Sequence, residues 1–569
     1  MNTLDDIRNN PEKAVGVEKI KADSNYLRGT INESLIDRIT GAVAEDDTQL
    51  LKFHGIYQQT DRELGSERKQ QKLEPYFIFM ARVRVPGGIS TSEQWLAMDR
   101  ISDEYGNGTV KLTTRQAFQF HGILKANLKD SIKKINDSLL DTISACGDVN
   151  RNVMCSPNPL NADIHAEVND ITHQISRHLT PQSPAYHEIW LDKQLVAGGE
   201  PAAETEPLYT KHYLPRKFKI ALVIPPYNDT DIFTNDIGLI AIEENGKLAG
   251  FNIAVGGGMG NTIGDERTYP RLGTIIGFVE PGNITKVVES VVLIQRDFGN
   301  REDRKIARLK YTIDNKGIDW FTNALETRSN IKLLPEKPYT FKSNQDVYGW
   351  GKDTAGNWHF GLFIENGRIR DTANFRLKTC VRKIAEKAIC DFRLSGNQNL
   401  ILGNVIDQNK PIIDAILSEY EISNDNHSAL RKYSLACVAL NTCPLAFAEA
   451  ERYLPGLIDK IDKITLANGI EKDEISLRMT GCTNGCARPY NAEIAFVGRA
   501  PGVYNMYLGG NREGSRLNRL YKEMLKEPEI LKELEVLFKA YATGRKEQET
   551  FGDFTWRKAY VTDQIPITA

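Results

Sequence analysis

Two stretches of this chain occur twice in the same order, and such a repeat limits the fold more than any single motif does. Leu112-Thr-Thr-Arg-Gln-Ala-Phe-Gln-Phe-His-Gly-Ile123 aligns with Leu394-Ser-Gly-Asn-Gln-Asn-Leu-Ile-Leu-Gly-Asn-Val405 by apolar alternation and a shared glutamine. Further on, Phe251-Asn-Ile-Ala-Val-Gly-Gly257 aligns with Tyr504-Asn-Met-Tyr-Leu-Gly-Gly510. Matching order in both halves points to an internal duplication. Two similar halves related by a pseudo-two-fold axis leave a cleft between them, a favoured place for a large bound group.

The 569 residues are enough for about three or four compact units. With 41% hydrophobic and 26% charged residues, the composition is that of an ordinary globular protein. A net charge of −3 argues against a dedicated nucleic-acid binder but leaves room for a locally basic pocket. No run approaches the ~18 apolar residues of a membrane span. The opening Met-Asn-Thr-Leu-Asp-Asp-Ile-Arg resembles neither a signal nor a transit peptide. Eight cysteines are too few for a disulfide scaffold, and free or metal-bound thiols fit a reducing cytoplasm.

Residues 1 to 75 are charged and poor in glycine, and read as extended or helical segments leading into the first compact unit. From Tyr76 onward apolar runs such as Phe77–Val85, closed by Pro86-Gly87-Gly88, predict buried strands and turns. Strands and helical periodicity then alternate, which predicts an α+β or α/β mixture.

Four cysteines carry the sharpest chemical signal: Cys437 and Cys443 as C-x5-C, then Cys482 and Cys486 as C-x3-C. Four thiolates from two loops can hold an iron–sulfur cube or a structural zinc. The glycines of Thr480-Gly-Cys-Thr-Asn-Gly-Cys486 favour the cube, because tight turns let amide N–H groups point at sulfur. Cys146, Cys155, Cys380 and Cys390 have no partner spacing and read as small buried hydrophobes. Cations gather beside turns and strand ends: Arg82 and Arg84, Arg115 on one strand with Gln119 and His121, Arg151, and Arg216-Lys-Phe-Lys219. In the last, Lys217 and Lys219 share a face by period two. Several such cations together suggest a polyanionic ligand. Gly256-Gly-Gly-Met-Gly260 lacks a phosphate-loop lysine and a third Rossmann glycine, so it reads as close backbone approach to a flat or bulky ligand.

These segments resemble the sulfite/nitrite reductase family that couples sirohaem to a [4Fe–4S] cluster, and within it the assimilatory, flavoprotein-fed sulfite-reducing branch. The resemblance rests on Leu51–Gln59, Arg84-Val-Pro-Gly-Gly, Thr114-Arg-Gln, Asn150-Arg-Asn, Leu214–Lys219, the four cysteines and Tyr507–Asn511. It implies a three-domain α+β fold, internally duplicated, with the cofactor at the domain junction. It implies an N-terminal segment (1–75) that docks a flavoprotein, and a duplicated ferredoxin-like body (76–144 with 345–420). It further implies a first sirohaem-binding unit (145–344) and a second unit with the cluster cysteines (421–569). By the same resemblance Cys437, Cys443, Cys482 and Cys486 hold the cluster, and Cys486 also ligates the sirohaem iron. Arg115 is then a clamp for a sirohaem carboxylate, with His121 in the same pocket. Arg84, Arg151, Lys217 and Lys219 face the substrate. The implied reaction is six-electron reduction of sulfite to sulfide for cysteine biosynthesis. The electrons would come from a flavoprotein carrying FAD and FMN that oxidises NADPH. Nitrite reduction is the alternative within the family, and Lys219, where nitrite enzymes commonly have Asn, favours sulfite. A structural Zn(Cys)4 protein is the alternative outside it.

Overall fold

A computed structural model describes residues 2–193, 196–197, 200–201 and 206–562. The duplication is visible in its sheets. One five-stranded sheet runs Ile56–Thr60, Phe77–Val83, Phe118–Ile123, Val110–Leu112, Arg368–Ile369. A second runs Gly349–Lys352, Trp358–Leu362, Leu400–Val405, Asp391–Leu394, Ile89–Ser90. Each sheet takes its last strand from the other half, so neither half closes its sheet alone. Both exchanged strands follow a tight left-handed turn. Gly88 has φ 76° and a Cβ there would sit 2.7 Å from the Leu394 carbonyl, while Gly367 has φ 68° and a Cβ would lie 2.5 Å from the Leu112 carbonyl. Only glycine lets the chain cross so close to the other half. The helices Ser92–Glu104 and Leu377–Glu386 pack together behind the sheets, and Lys378 and Arg382 ion-pair with Asp99 and Asp103.

The other two large sheets repeat a second motif. Ile220–Val223 runs parallel to Ile237–Glu244, which is followed antiparallel by Lys247–Val255 and Thr274–Val279. In the C-terminal unit Leu477–Thr480 runs parallel to Ile494–Ala500, followed antiparallel by Val503–Leu508 and Arg519–Leu525. A further parallel partner lies on the outer side of each first strand: residues 150 to 154 through isolated bridges, and Ser434–Ala436. The C-terminal unit has its own core, built on residues such as Leu457, Ile461, Phe496, Leu534 and Phe538.

Three expectations change. The segment Leu112–Ile123 is a hairpin, because Gln116 takes a left-handed φ of 50° and Thr113 Oγ1 accepts the N–H groups of Arg115 and Ala117. Arg115 therefore sits in the turn, and only Gln119 and His121 lie on the strand. The run beginning at Arg216 is strand only over Ile220–Val223. Lys217 and Lys219 flank buried Phe218, and of the two only Lys217 is among the residues lining the cavity described below. Residues 1–75 do not merely lead into the first compact unit but are packed as part of it. Helix Thr3–Asn9 buries Leu4 and Ile7 and packs on helix Ile284–Phe298, and Ile56–Thr60 is the edge strand of the first sheet. Among the described residues no helix is long and apolar enough to cross a membrane.

Candidate active site

One face of the first sheet walls a cavity of about 470 Å³. The register explains which residues face it: Tyr57 lies opposite Met80, while Arg82 and Lys111 both lie opposite Gln119, and His121 follows two residues on. All of these line the cavity, together with Arg151, Arg216, Lys217, Arg304 and the four cysteines Cys437, Cys443, Cys482 and Cys486.

The thiols arrive from neighbouring parallel strands. Cys437 directly follows Ser434–Ala436, and Cys482 follows Leu477–Thr480 by two residues. This is the carboxyl end of a parallel pair, where open α/β sheets bind their ligands. The loop carrying Cys482 and Cys486 is held from two sides. Thr114 Oγ1 donates to the Cys486 carbonyl at 3.0 Å, and Thr483 exchanges two hydrogen bonds with the Asn261 backbone. Gly256–Gly260 is therefore spent on protein rather than on a ligand. A Cβ at Gly257 would meet the Phe233 carbonyl at 2.1 Å, and one at Gly260 the Asn484 carbonyl at 3.2 Å.

The donor set suits a cluster. Gly481 N–H and Thr480 Oγ1 lie 3.4 Å from Cys437 Sγ, and Asn484 Nδ2 lies 3.4 Å from Cys482 Sγ. Donors of this kind stabilise and tune bound thiolates. Burial, with Cys486 adding to it, pushes the Cys437 thiol up to about 12 and the Cys443 thiol up to about 11. Four thiolates here need a cationic group between them, as a metal centre provides. Among the described residues no three His, Cys, Asp or Glu side chains converge on a single-ion position.

The cations divide into engaged and free. Arg84 does not reach the cavity. Its guanidinium is bidentate to Asp141 at 3.0 and 2.8 Å and donates to Thr180 Oγ1 at 2.6 Å. The neighbouring Arg82 does face it, fixed by Gln119 Oε1 at 2.7 and 3.1 Å and by Cys146 Sγ at 3.1 Å. Among the described residues the Arg151 side chain donates to the Gly147 carbonyl alone, at 3.3 and 3.4 Å. Lys217 is pushed down to about 7 by burial and then by Arg216 and Arg151. Lys219 lies well below the usual lysine range, through burial and then Lys217 and Arg115. Its backbone N–H donates to Asp236, which is clamped by Arg308 at 2.7 and 3.1 Å. Arg115 gives both terminal nitrogens to Asn235 Oδ1 and to the carbonyls of Asn152 and Ile220, and its buried Nε has no partner. Burial, then Arg151, brings it down to about 9. Burial, and then Arg368, pushes His121 down to about 3, so the imidazole is neutral near pH 7. It contacts Gln119 Nε2 through Nε2 and leaves Nδ1 without a partner.

Reading by sequence passed over Lys111, a buried cation paired with Glu451 at 2.9 Å. It chose Arg84 although Arg82 shares the sheet face with Gln119. Alternation places Arg82 and Arg84 alike, and what separates them is the capture of Arg84 by Asp141 and Thr180, a tertiary contact that no pattern within the strand encodes.

Residues 70–138 and 351–420 each match the family model described as the nitrite/sulfite reductase ferredoxin-like half domain. Residues 163–333 match the one described as the nitrite and sulphite reductase 4Fe-4S domain. The latter covers the first α/β unit and none of the four cysteines, which lie in its structural repeat. The chain belongs to the nitrite and sulfite reductase family. Two relatives bear the name sulfite reductase [NADPH] hemoprotein beta-component. That of Staphylococcus saprophyticus is 54% identical, with 97% of each chain covered, and that of Anoxybacillus flavithermus is 56% identical, with 96% of each covered. The solved NirA protein of Mycobacterium tuberculosis shares the fold, with a TM-score of 0.76 and 23% identity over 94% of each chain.

Proposed function

We propose that this chain reduces sulfite to sulfide, a six-electron reaction, as the haemoprotein subunit of an assimilatory NADPH-dependent sulfite reductase in the cytoplasm. Its electrons would come from a flavoprotein subunit that carries FAD and FMN and oxidises NADPH. The observation that carries this reading is one cavity with four thiols on one side and incompletely paired cations on the other. The near full-length identity to relatives named for that activity supports it.

In this reading residues 76–144 and 345–420 form the duplicated body, 145–344 the first sirohaem-binding unit and 421–569 the unit holding the cluster. Cys437, Cys443, Cys482 and Cys486 would hold a [4Fe–4S] cluster, and Cys486 would also hold sirohaem. When bound, these groups supply electrons to the substrate at an iron. Arg115 and Lys111 offer positive charge to sirohaem carboxylates, and neutral His121 offers a hydrogen bond. Arg82 replaces Arg84 in the anion-facing set, beside Arg151 and Lys217, while Lys219, which is not among the lining residues, adds its charge from beside Lys217. The two arginines hold the sulfite dianion by forked hydrogen bonds. Lys217, near neutrality, suits proton delivery to a departing oxygen. Preorganised positive charge around the substrate stabilises negative charge as it accumulates.

The test is the visible spectrum of the chain purified with ample sirohaem supply, before and after dithionite and sulfite. A Soret band with long-wavelength features that shift on each addition is expected, together with about five irons per chain. A colourless protein with about one zinc per chain would overturn the reading.

A further inference from the structure

The cavity wall contains a residue from far outside it in sequence. Helix Val17–Asp23 contributes Val17 to the lining and sends Lys21 inward, with 0% of its side chain exposed. Lys21 Nζ ion-pairs with Glu18 one turn earlier, donates to the Leu214 carbonyl at 2.8 Å and lies 3.6 Å from Asp148 Oδ2. Glu18 in turn accepts from Arg301 at 2.7 Å, and Asp148 accepts from Arg304 at 2.7 and 3.1 Å. The two far contacts of Lys21 are placed alike. Asp148 is three residues before Arg151, and Leu214 is three residues before Lys217. Leu214 N–H also donates to the Asp148 carbonyl at 3.0 Å, and residues 150 and 218 form a parallel bridge. Lys21 thus grips both segments that deliver cations to the cavity, immediately upstream of where those cations emerge.

We propose that Lys21, oriented by Glu18, is a positioning residue that sets the spacing of Arg151 and Lys217, making the N-terminal helix part of the anion-binding machinery. The proposal rests on the function proposed above. Lys21 touches neither the substrate nor the thiols, and acts by tying two backbones together. A buried charge in a three-partner contact is costly to mislay, so its loss is felt first by the groups it anchors.

The test compares K21M with wild type as the purified holoprotein. K21M/E18Q serves as a second variant, because it removes both charges of the pair together, leaving Asp148 with Arg304 and Arg301 with its carbonyl acceptors at His212, Tyr213 and Arg296. Amide hydrogen exchange is expected to rise in 145–151 and 213–219 and to remain at wild-type level in the C-terminal unit. The KM for sulfite is expected to rise about tenfold, with a smaller fall in kcat. Wild-type exchange and KM in both variants would overturn the proposal. So would a uniform rise in exchange across the chain, which marks a merely structural role. Should the wild-type chain fail to reduce sulfite, the functional reading falls, and the exchange pattern still decides the role of Lys21.

Discussion

The two α/β units use one frame for opposite chemistry. Asp231 and Arg488 both take the left-handed conformation just before the second parallel strand of their unit, at a constant sequence offset. The same offset relates Lys219 to Ser476 and Asp236 to Glu493. In the first unit Asp236 accepts the Lys219 N–H and is clamped by Arg308. In the second, Glu493 accepts the Ser476 N–H at 2.8 Å and the Gly552 N–H at 2.9 Å, and burial pushes it up to about 7. The first unit places cations ahead of its strand Ile220–Val223, and the second places thiols after its strand Leu477–Thr480. Where the second has Cys482 and Cys486, the first has Pro225 and Asp229. Even the paired axis positions differ in sign, so that Asp231 accepts from both Arg478 and Arg488 across the junction. Duplication supplies the cleft, and divergence within it gives each half one task. A cofactor that needs both soft ligands and oxyanion-binding charge can then lie between them.

That division is open to attack from either side. The largest effect should come from the thiol half. Cys486→Ser is expected to lower sulfide release by more than about a hundredfold, since even partners behind a metal ligand cost ~10–100-fold. Iron per chain should fall with it. Asp229→Asn, at the equivalent first-half position, should leave the iron content intact; iron loss in that variant would contradict the asymmetry.

Next comes the cationic half. Lys217→Met should reduce kcat/KM for sulfite by about a hundredfold. Its pH behaviour has a definite sign. A lysine lowered to about 7 is cationic below that pH and neutral above it, so affinity for nitrite, whose charge is constant across neutral pH, should fall as pH rises past 7. The apparent value belongs to Lys217 and Lys219 together. Lys217→Arg keeps its charge and should move that limb upward; an unmoved limb would remove Lys217 from the anion site. A smaller effect is expected from Lys219→Asn, a shift of about tenfold in the ratio of kcat/KM values toward nitrite. An equal ratio in variant and wild type would mean that Lys219 does not discriminate between the anions.

How far the sequence discloses this arrangement depends on the range of the interactions. The duplication was legible because strand alternation and glycine turns are local, and the 112–123 and 394–405 repeats do occupy equivalent hairpins. The cysteines were legible because their spacing is local too. The exchange of Ile89–Ser90 and Arg368–Ile369 between sheets was not, because it depends on pairings across about 300 and about 260 residues. Nor was the buried Lys21, which looks like one more surface charge on a short helix until Asp148 and Leu214 come to meet it. The glycine-rich loop, expected to approach a flat or bulky ligand, instead approaches the Phe233 carbonyl and the cysteine loop, contacts no local pattern encodes.

Arg82 and Arg84 give this limit its sharpest form, since they stand two residues apart at a strand end and differ only in what folds over them. Arg84 meets Asp141 and Thr180, a partly exposed pair behind the sheet, with side-chain exposures of 11% and 32% for the two ions. Such a pair contributes about 1 kcal/mol or less. Arg84→Gln should therefore lower Tm by roughly 2 °C and leave kcat/KM for sulfite within about twofold. Arg82→Gln removes a cavity charge from beside Gln119 and should raise the KM for sulfite about tenfold. Steady-state kinetics on the two variants, read beside their melting curves, separates the roles. If Arg84→Gln lost as much sulfite affinity as Arg82→Gln, the anion would be held from the far end of the strand, and the sheet face would not be the wall that receives it.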